Sequence, residues 1–264
     1  MINRVKSARL ALLSMGAAMI AMVPAHASDA PVLDRAAVIE ILREEIKRDP
    51  GFVLDAINQY VQDQQVAERQ KQDGMAVLVR DELAASADRP FVGSEKAAVE
   101  LVYFYDVNCG YCKRLDPSLR KIVEGNGDVR ISHREIPILA ESSRSAALIS
   151  HIVWQMYPKK YGEFHDSLMA NQGALSDDVI EMKLTQVVGA TEAIAVLGEA
   201  ANANSEIAKK AKKQVQENLD LATKAGVTGT PFVYVLKTDD MMRGAGENAF
   251  SQLVDMIAAA RAKN

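Results

Sequence analysis

Residues 99–112, VELVYFYDVNCGYC, decide the fold, because an apolar run is followed there by two closely spaced cysteines. Residues 99–105 are short, apolar and rich in β-forming residues, which predicts a buried strand. After a brief turn, we expect Cys109 to open a helix that runs to about Glu124. Cys112 then lies one turn later on the same helix face, within reach of Cys109. The pattern predicts a reactive dithiol where a strand passes into a helix.

Cys109 and Cys112 are the two cysteines of the chain, and this count limits the roles that the pair can have. A structural disulfide across so short a loop stabilises a fold very little, and a structural zinc site needs four ligands. Free N–H groups at a helix N-terminus stabilise an anion, so we expect a lowered pKa for Cys109. Its thiolate would attack a substrate disulfide, and Cys112 or the substrate's own thiol would resolve the mixed disulfide. We expect neither a cofactor nor a bound metal.

The first residues have the pattern of an export signal. Arg4, Lys6 and Arg9 precede a short apolar run, and residues 25–27, AHA, match a small-x-small cleavage site. Residues 1–27 are therefore predicted to be a signal peptide, with an uncleaved anchor as the alternative. The formal net charge of −4 gives no support for nucleic-acid binding. We expect a soluble protein in an oxidising, exported compartment.

Residues 28–90 are predicted to form helices without a core of their own. The first helix carries an apolar stripe of Val38, Leu42 and Ile46, whereas residues 62–73 are nearly all polar. An amphipathic helix must bury its stripe, either on the following domain or on copies of itself. We favour self-association, because a polar middle is typical of a solvated stalk.

Residues 91–264 are predicted to form a sheet covered by helices, an α/β class. Further strands are predicted over residues 128–135 and 232–236. A helical block at about residues 140–226 lies between them. Residues 87–94 are predicted to be a linker, and Met241 and Met242 are assigned to a turn before the last helix.

Residues 104–113, FYDVNCGYCK, resemble the active-site segment of the DsbA-like branch of the thioredoxin superfamily. Residues 228–231, TGTP, resemble the cis-proline loop of that family, although base rates alone favour an ordinary trans bond. The distance between the two motifs fits a thioredoxin fold with an inserted helical domain, preceded here by an N-terminal helical extension. The layout of that extension resembles ScsC-like proteins, which form homo-oligomers through such helices.

The resemblance implies roles for six residues. Cys109 and Cys112 would be the catalytic pair. The residues that line the active site beside the substrate would be Gly110, Tyr111, Thr230 and Pro231. The Thr230–Pro231 bond would be cis and would face the cysteines. Threonine before this proline also resembles the disulfide isomerases, whereas DsbA oxidases more often carry valine.

Tyr103 departs from the family pattern, and three histidines have no role in it. Many relatives have an acidic residue where Tyr103 stands, and Glu100 is expected to face the other side of the strand. His133 alternates with apolar strand residues and is interpreted as structural. His151 and His165 lie on predicted helices without partners at ligand spacing.

These patterns favour a thiol–disulfide oxidoreductase of the periplasm, leaning towards a disulfide isomerase. A DsbA-type oxidase is the alternative within the same chemistry. A periplasmic chaperone or binding scaffold is the alternative from another class, and a metal-delivery role is a third, since two thiolates can hold a soft metal. The expected partners are unfolded or misoxidised exported proteins, a membrane redox partner of DsbB or DsbD type, and further copies of the chain as a dimer or trimer.

Overall fold

A computed structural model describes residues 34–85 and 88–263, and the predicted signal peptide at residues 1–27 lies outside these ranges. The described residues divide into two compact units, one ending at residue 59 and the other beginning at residue 60. Within the described ranges, no helix combines the length and apolar character needed to cross a bilayer.

The first unit contains helix α1 (Arg35–Arg48) and the start of helix α2 (Pro50–Leu78). Asp34 caps α1, because its Oδ1 accepts a hydrogen bond from the Ala37 N–H at 2.7 Å. No residue of α1 is buried. Its apolar stripe is 41–48% exposed: Val38, Leu42 and Ile46. The amphipathic pattern seen in the sequence is therefore an apolar surface in the structure.

The second unit is built on a five-stranded mixed sheet of order β1-β3-β2-β4-β5. The strands are β1 (Phe91–Gly93), β2 (Val99–Tyr105), β3 (Val129–Glu135), β4 (Phe232–Val235) and β5 (Met241–Arg243). Strands β2 and β3 are parallel and the other neighbours are antiparallel. The central strand β2 is the one that leads into the cysteine motif.

Helices cover both faces of this sheet. Helix α4 (Gly110–Gly125) connects β2 to β3, and α10 (Ala249–Ala262) ends the chain. Between β3 and β4 the chain inserts α5 (Glu141–Met156), α6 (Pro158–Met169), α7 (Asp177–Val188), α8 (Ala190–Ala201) and α9 (Glu206–Lys224). The architecture is a thioredoxin fold with an inserted helical domain, preceded by an N-terminal helical extension, which confirms the predicted fold class.

Strand β2 is buried on both faces, and its two sets of side chains enter different cores. Tyr103 and Tyr105 join the larger core, together with both cysteines and residues of α4 and α10. Val102 and Phe104 join a smaller core with residues of β4 and α9. A near-continuous apolar run is what a strand covered on both sides requires.

Two short strands were missed by the sequence analysis. The predicted linker at residues 87–94 is wrong in part, because Phe91–Gly93 form β1 and pair with β3. Gly93 has a φ of +99°, and a Cβ there would lie 2.4 Å from the Val129 carbonyl oxygen. The predicted turn at Met241 and Met242 is also wrong, since both belong to β5. Strands of three residues are too short to show alternation, so tertiary pairing alone defines them.

The end of α2 and the short helix α3 (Arg80–Ala84) pack on strands β2 and β4 and on helix α9. Ala76 and Leu83 are fully buried in the smaller core. The backbone of Gln72 comes so close to Gly226 that a Cβ there would lie 3.1 Å from the Gln72 Cα. The predicted helical region could bury its apolar residues on the following domain or on copies of itself. The end of α2 and helix α3 bury theirs on the following domain.

We expect Leu83→Ala to destabilise the protein by about 3 kcal/mol, because it removes a fully buried side chain and leaves a cavity. Leu78→Ala is the matched control, since Leu78 is 86% exposed and its removal should cost little. Urea unfolding of the two variants measures the difference. Equal losses would contradict the packing of α3 on the domain.

Candidate active site

The Cys109 side chain lies at the point where β2 passes into α4. Strand β2 ends at Tyr105, and the Cys109 N–H donates to the Asp106 carbonyl at 2.9 Å, which closes the turn between them. Cys109 is the N-cap of α4, and its sulfur accepts a hydrogen bond from the Cys112 N–H at 3.4 Å. The predicted placement of Cys109 at a helix N-terminus is confirmed.

This environment stabilises the Cys109 thiolate. The strongest contribution is a hydrogen bond from the Cys112 thiol, and burial opposes it. Hydrogen bonds from the Thr230 side chain and from the backbone N–H groups of Cys112 and Tyr111 add to the stabilisation. Together they lower the pKa of Cys109 from 9.0 to about 5. The sulfur therefore carries a negative charge at neutral pH.

Cys112 has the opposite character. Its side chain is fully buried, whereas Cys109 is 6% exposed. Burial raises the pKa of Cys112 strongly, and the hydrogen bond with Cys109 raises it further. Both cysteines are free thiols in this structure. The pair thus combines one reachable thiolate with one protected thiol.

The loop before β4 completes the site. The Thr230–Pro231 peptide bond is cis, as the family resemblance implied. The Thr230 carbonyl oxygen lies 3.4 Å from the Cys109 sulfur, and the Thr230 side chain favours the thiolate form of both cysteines. The loop is anchored by the Gly244 N–H, which donates to the Pro231 carbonyl at 2.9 Å. The two sequence motifs therefore meet in space.

The two residues between the cysteines line the outer side of the pair. Gly110 is the first residue of α4, and a Cβ there would meet only Arg114 Nη1, at 3.9 Å. Tyr111 is 57% exposed, and the Arg114 guanidinium lies 4.2 Å from its ring centroid. An exposed aromatic ring beside Cys109 offers apolar surface to a polypeptide.

Asp106 holds the loop in place, and the sequence analysis did not single it out. It is fully buried, and its carboxylate accepts four hydrogen bonds. The donors are the Asn108 N–H at 2.7 Å, the Ser143 hydroxyl at 2.7 Å, the Ile138 N–H at 2.9 Å and the Leu139 N–H at 3.0 Å. The loop before Cys109 is thereby fixed to the start of the helical insertion.

Asn108 and Lys113 also form hydrogen bonds to the helical insertion. The Asn108 side chain accepts from the Leu175 N–H at 2.7 Å and donates to the Ser143 hydroxyl at 2.9 Å. Lys113 Nζ donates to the Gly173 carbonyl at 2.6 Å. Polar residues between a buried strand and a cysteine motif were the signal that could have found Asp106 and Asn108. Their partners lie too far along the chain for a local pattern to name them.

A buried polar group lies one turn after Cys112 on α4. Asp116 Oδ1 lies 2.9 Å from His165 Nε2, so a residue 49 positions away provides a partner that spacing in the sequence did not indicate. Burial opposes the ionisation of Asp116, but hydrogen bonds from His165 and Arg120 outweigh it and lower its pKa. The ligand atoms of Asp116, His165 and Asp166 lie within 4.8 Å of one another. Arg120 contacts both carboxylates, at 3.2 and 3.3 Å, and so supplies the cation that balances them.

His133 and Glu100 occupy the positions that the strand pattern predicts. His133 is buried, and its Nδ1 lies 2.8 Å from the Tyr161 hydroxyl, which supports a structural role. Burial lowers its pKa, so the ring is neutral. Glu100 contacts Arg130 and Ser132 on the face of the sheet opposite the cysteines, as expected.

Two comparisons of the sequence with known proteins agree. The family model for the DSBA-like thioredoxin domain matches residues 100–258. "Disulfide bond formation protein D" of Bacillus subtilis (strain 168) is 27% identical over 161 residues, which cover 56% of this chain and 67% of that protein.

Solved structures agree. A periplasmic thioredoxin-like protein from Salmonella enterica serovar Typhimurium is 30% identical, with a TM-score of 0.59, covering 70% of this chain and 97% of that one. The catalytic domain of Proteus mirabilis ScsC is 29% identical, with a TM-score of 0.62, covering 72% of this chain and 99% of that one. ScsC in a compact conformation is 29% identical, with a TM-score of 0.61, and covers 86% of this chain and 98% of that one. Because the family model spans more than half of the sequence and agrees with the paired cysteines at the start of α4, the chain belongs to the DSBA-like thioredoxin domain family of thiol–disulfide oxidoreductases.

Proposed function

We propose that this protein exchanges disulfides in exported polypeptides and acts mainly as a disulfide isomerase. The observation that carries the proposal is the pairing of a stabilised thiolate at Cys109 with a buried thiol at Cys112. The Cys109 thiolate attacks a substrate disulfide, forms a mixed disulfide and releases one substrate thiol. Either Cys112 or another thiol of the substrate then breaks that bond. When a substrate thiol does so, the substrate's pairing changes and the protein stays reduced.

The residues around the pair are proposed to hold the substrate. Gly110 and Tyr111 lie beside Cys109, and Tyr111 presents an exposed ring. Thr230 and Pro231 face the cysteines from the other side, where an extended segment can lie next to the Cys109 sulfur. Threonine before the proline, whose side chain favours the thiolate form of both cysteines, supports the isomerase mode by resemblance.

An oxidase is the second candidate, and one observation favours it. A stabilised Cys109 thiolate stabilises the reduced form and makes the disulfide form a stronger oxidant. In that mode a membrane partner of DsbB type keeps the pair oxidised, whereas a partner of DsbD type keeps an isomerase reduced. Trapping the pair in cells with an alkylating reagent shows which state is maintained.

We also propose export to the periplasm, with cleavage after residue 27, and assembly into a homo-oligomer. The exposed apolar stripe of α1 supports assembly, because an amphipathic helix is stabilised when a second copy covers that stripe. An oligomer places several dithiols around a shared space in which a misfolded chain can be held. The substrates are unfolded or misoxidised exported proteins.

The ionisation of Cys109 can be measured in the mature chain carrying Cys112→Ala. The largest single stabilisation of the Cys109 thiolate is the hydrogen bond from the Cys112 thiol, so the pKa of Cys109 in this variant should lie above 5 but still below 9.0. In the wild type, the rate of iodoacetamide alkylation of Cys109 should be half-maximal near pH 5. Since the folded pKa lies below the unfolded one, the thiolate stabilises the reduced fold fully above pH 9, and this contribution is lost as pH falls through about 5. A wild-type midpoint near that of free cysteine would contradict the proposed nucleophile.

The two modes separate in single-cysteine variants. Cys112→Ala should keep part of the refolding activity on scrambled ribonuclease, because substrate thiols can resolve the mixed disulfide, and should lose oxidation of reduced ribonuclease. Cys109→Ser should lose both activities. The reverse pattern in Cys112→Ala would reject the isomerase assignment. Full retention in Cys109→Ser would favour a chaperone or binding scaffold.

Assembly is tested by removing residues 28–59 from the mature chain. This truncation spares Ala76 and Leu83, which belong to the core of the domain. We expect light scattering to give the mass of a monomer, and insulin reduction to persist. Leu42→Lys should lower the mass of the full chain, whereas Glu44→Gln, an exposed polar change, should leave it unchanged. An unchanged number of subunits after truncation would exclude assembly through these helices.

A further inference from the structure

The Tyr103 hydroxyl is buried beside Cys112 without a well-formed hydrogen bond. The residue is 0% exposed, and its hydroxyl oxygen has no hydrogen-bond partner among the described residues. A buried hydroxyl without a partner is unfavourable, and such a group in a native fold calls for a functional explanation. Tyr103 and Cys112 are both fully buried in the same core, and of the polar groups there the Cys112 thiol interacts most strongly with this hydroxyl.

The fold fixes the ring so that the hydroxyl keeps this position. Tyr103 is in the middle of β2, paired with His133 of β3 and Val233 of β4. Its ring stacks on Tyr105, with centroids 4.9 Å apart and planes inclined by 21°. The edge of the His133 ring packs against it at 6.0 Å. A ring held by its own strand and by both neighbouring rings cannot turn towards another partner.

We propose that Tyr103 is a positioning residue whose hydroxyl donates a hydrogen bond to the Cys112 sulfur when negative charge develops there. Hydrogen bonds of this kind are commonly long in the resting state and tighten during the reaction. The inference rests on the proposed disulfide exchange and assigns a group to one step of it. A hydrogen bond to a charged sulfur is also stronger than one to a neutral thiol.

The step concerned is the one that makes or breaks the bond to Cys112. In resolution, the Cys112 sulfur loses its proton and bonds to the Cys109 sulfur, and the bond from Cys109 to the substrate sulfur breaks. The departing substrate sulfur takes up a proton, the cysteine pair is oxidised and the substrate disulfide is reduced. In the opposite direction, a substrate thiolate attacks Cys109 and Cys112 leaves with the electron pair. Cys112 carries negative charge in both directions.

Tyr103 acts as a donor and keeps its own proton. Burial, followed by the charges of Cys112 and Asp116, raises the pKa of Tyr103 well above 10.0. The phenol is therefore neutral at every working pH. Asp116 is already engaged by His165 and Arg120, at 2.9 and 3.2 Å, so it does not draw the proton from Tyr103.

The Cys109 thiolate is stabilised by other groups. Those groups are the thiol and backbone N–H of Cys112, the Thr230 side chain and the Tyr111 N–H. Removal of the Tyr103 hydroxyl should therefore leave the attack by Cys109 unchanged and slow only the exchange at Cys112.

The experiment compares the two steps in the full mature chain carrying Tyr103→Phe. Attack by Cys109 is followed with 5,5′-dithiobis(2-nitrobenzoate) in a Cys112→Ser background, and we expect a rate equal to that of the matched chain with Tyr103. Resolution is followed as decay of the mixed disulfide with glutathione, in acid-quenched samples analysed by mass. We expect it to slow by about tenfold in both directions, as befits loss of a hydrogen bond to a charged group. The reduction potential should not change, because Cys112 is neutral in both end states.

Tyr105→Phe is the control. It removes a hydroxyl from the neighbouring ring on the same face, but that hydroxyl contacts Glu135 and Tyr161, each at 3.3 Å. We expect normal resolution in this variant. The inference is overturned if Tyr103→Phe resolves at the wild-type rate, if both of its steps slow together, or if Tyr105→Phe slows resolution equally. A wild-type chain that forms no mixed disulfide at Cys109 would overturn the proposed function as well, whereas the other outcomes overturn only the role of Tyr103.

Discussion

The hydrogen bond from the Cys112 backbone N–H to the Cys109 sulfur is the interaction on which the rest of the site depends. It forms only if α4 begins directly after Cys109, because a helix leaves its first N–H groups free. The helix begins there because the turn after β2 is held by the buried Asp106 carboxylate, whose four donors lie in that turn, in the loop after β3 and in helix α5. The Thr230 carbonyl then meets the same sulfur from the start of β4. Strand β2, helix α4, the helical insertion and the Thr230–Pro231 loop thus all help to position the Cys109 sulfur.

This interaction gives two chemically identical side chains different tendencies to ionise. Cys109 has the helix N-terminus and a partly open position, so its charged form is favoured. Cys112, one turn deeper, is enclosed by the larger core, and burial favours its neutral form. Exchange needs such a difference, since two easily ionised thiols would repel one another when both are charged. The thioredoxin fold creates it by setting one sulfur at the rim and one inside.

The features that the sequence predicted are those encoded over a few neighbouring residues. The apolar run of β2 and the start of α4 at the cysteines are local signals, and the structure confirms them. Strands β1 and β5 are three residues long and are defined by their partners, so no local pattern revealed them. The same holds for His165, whose partner Asp116 lies 49 positions away. The cis bond at Pro231 was implied by the family resemblance, because base rates alone favour a trans bond.

Tyr103 shows how one departure from the family pattern changes the chemistry available next to Cys112. A carboxylate at this position would accept the Cys112 proton, whereas a neutral phenol is too weak a base to do so and offers its own O–H as a hydrogen-bond donor. Asp116 provides a carboxylate in the same core, but His165 and Arg120 hold it in its charged, hydrogen-bonded form. The described residues around Cys112 therefore offer stabilisation of negative charge rather than a base. The proton that Cys112 loses is then balanced by the proton that the departing substrate thiolate takes up. The pKa of the substrate thiol therefore affects the exchange as much as the pKa values of the protein.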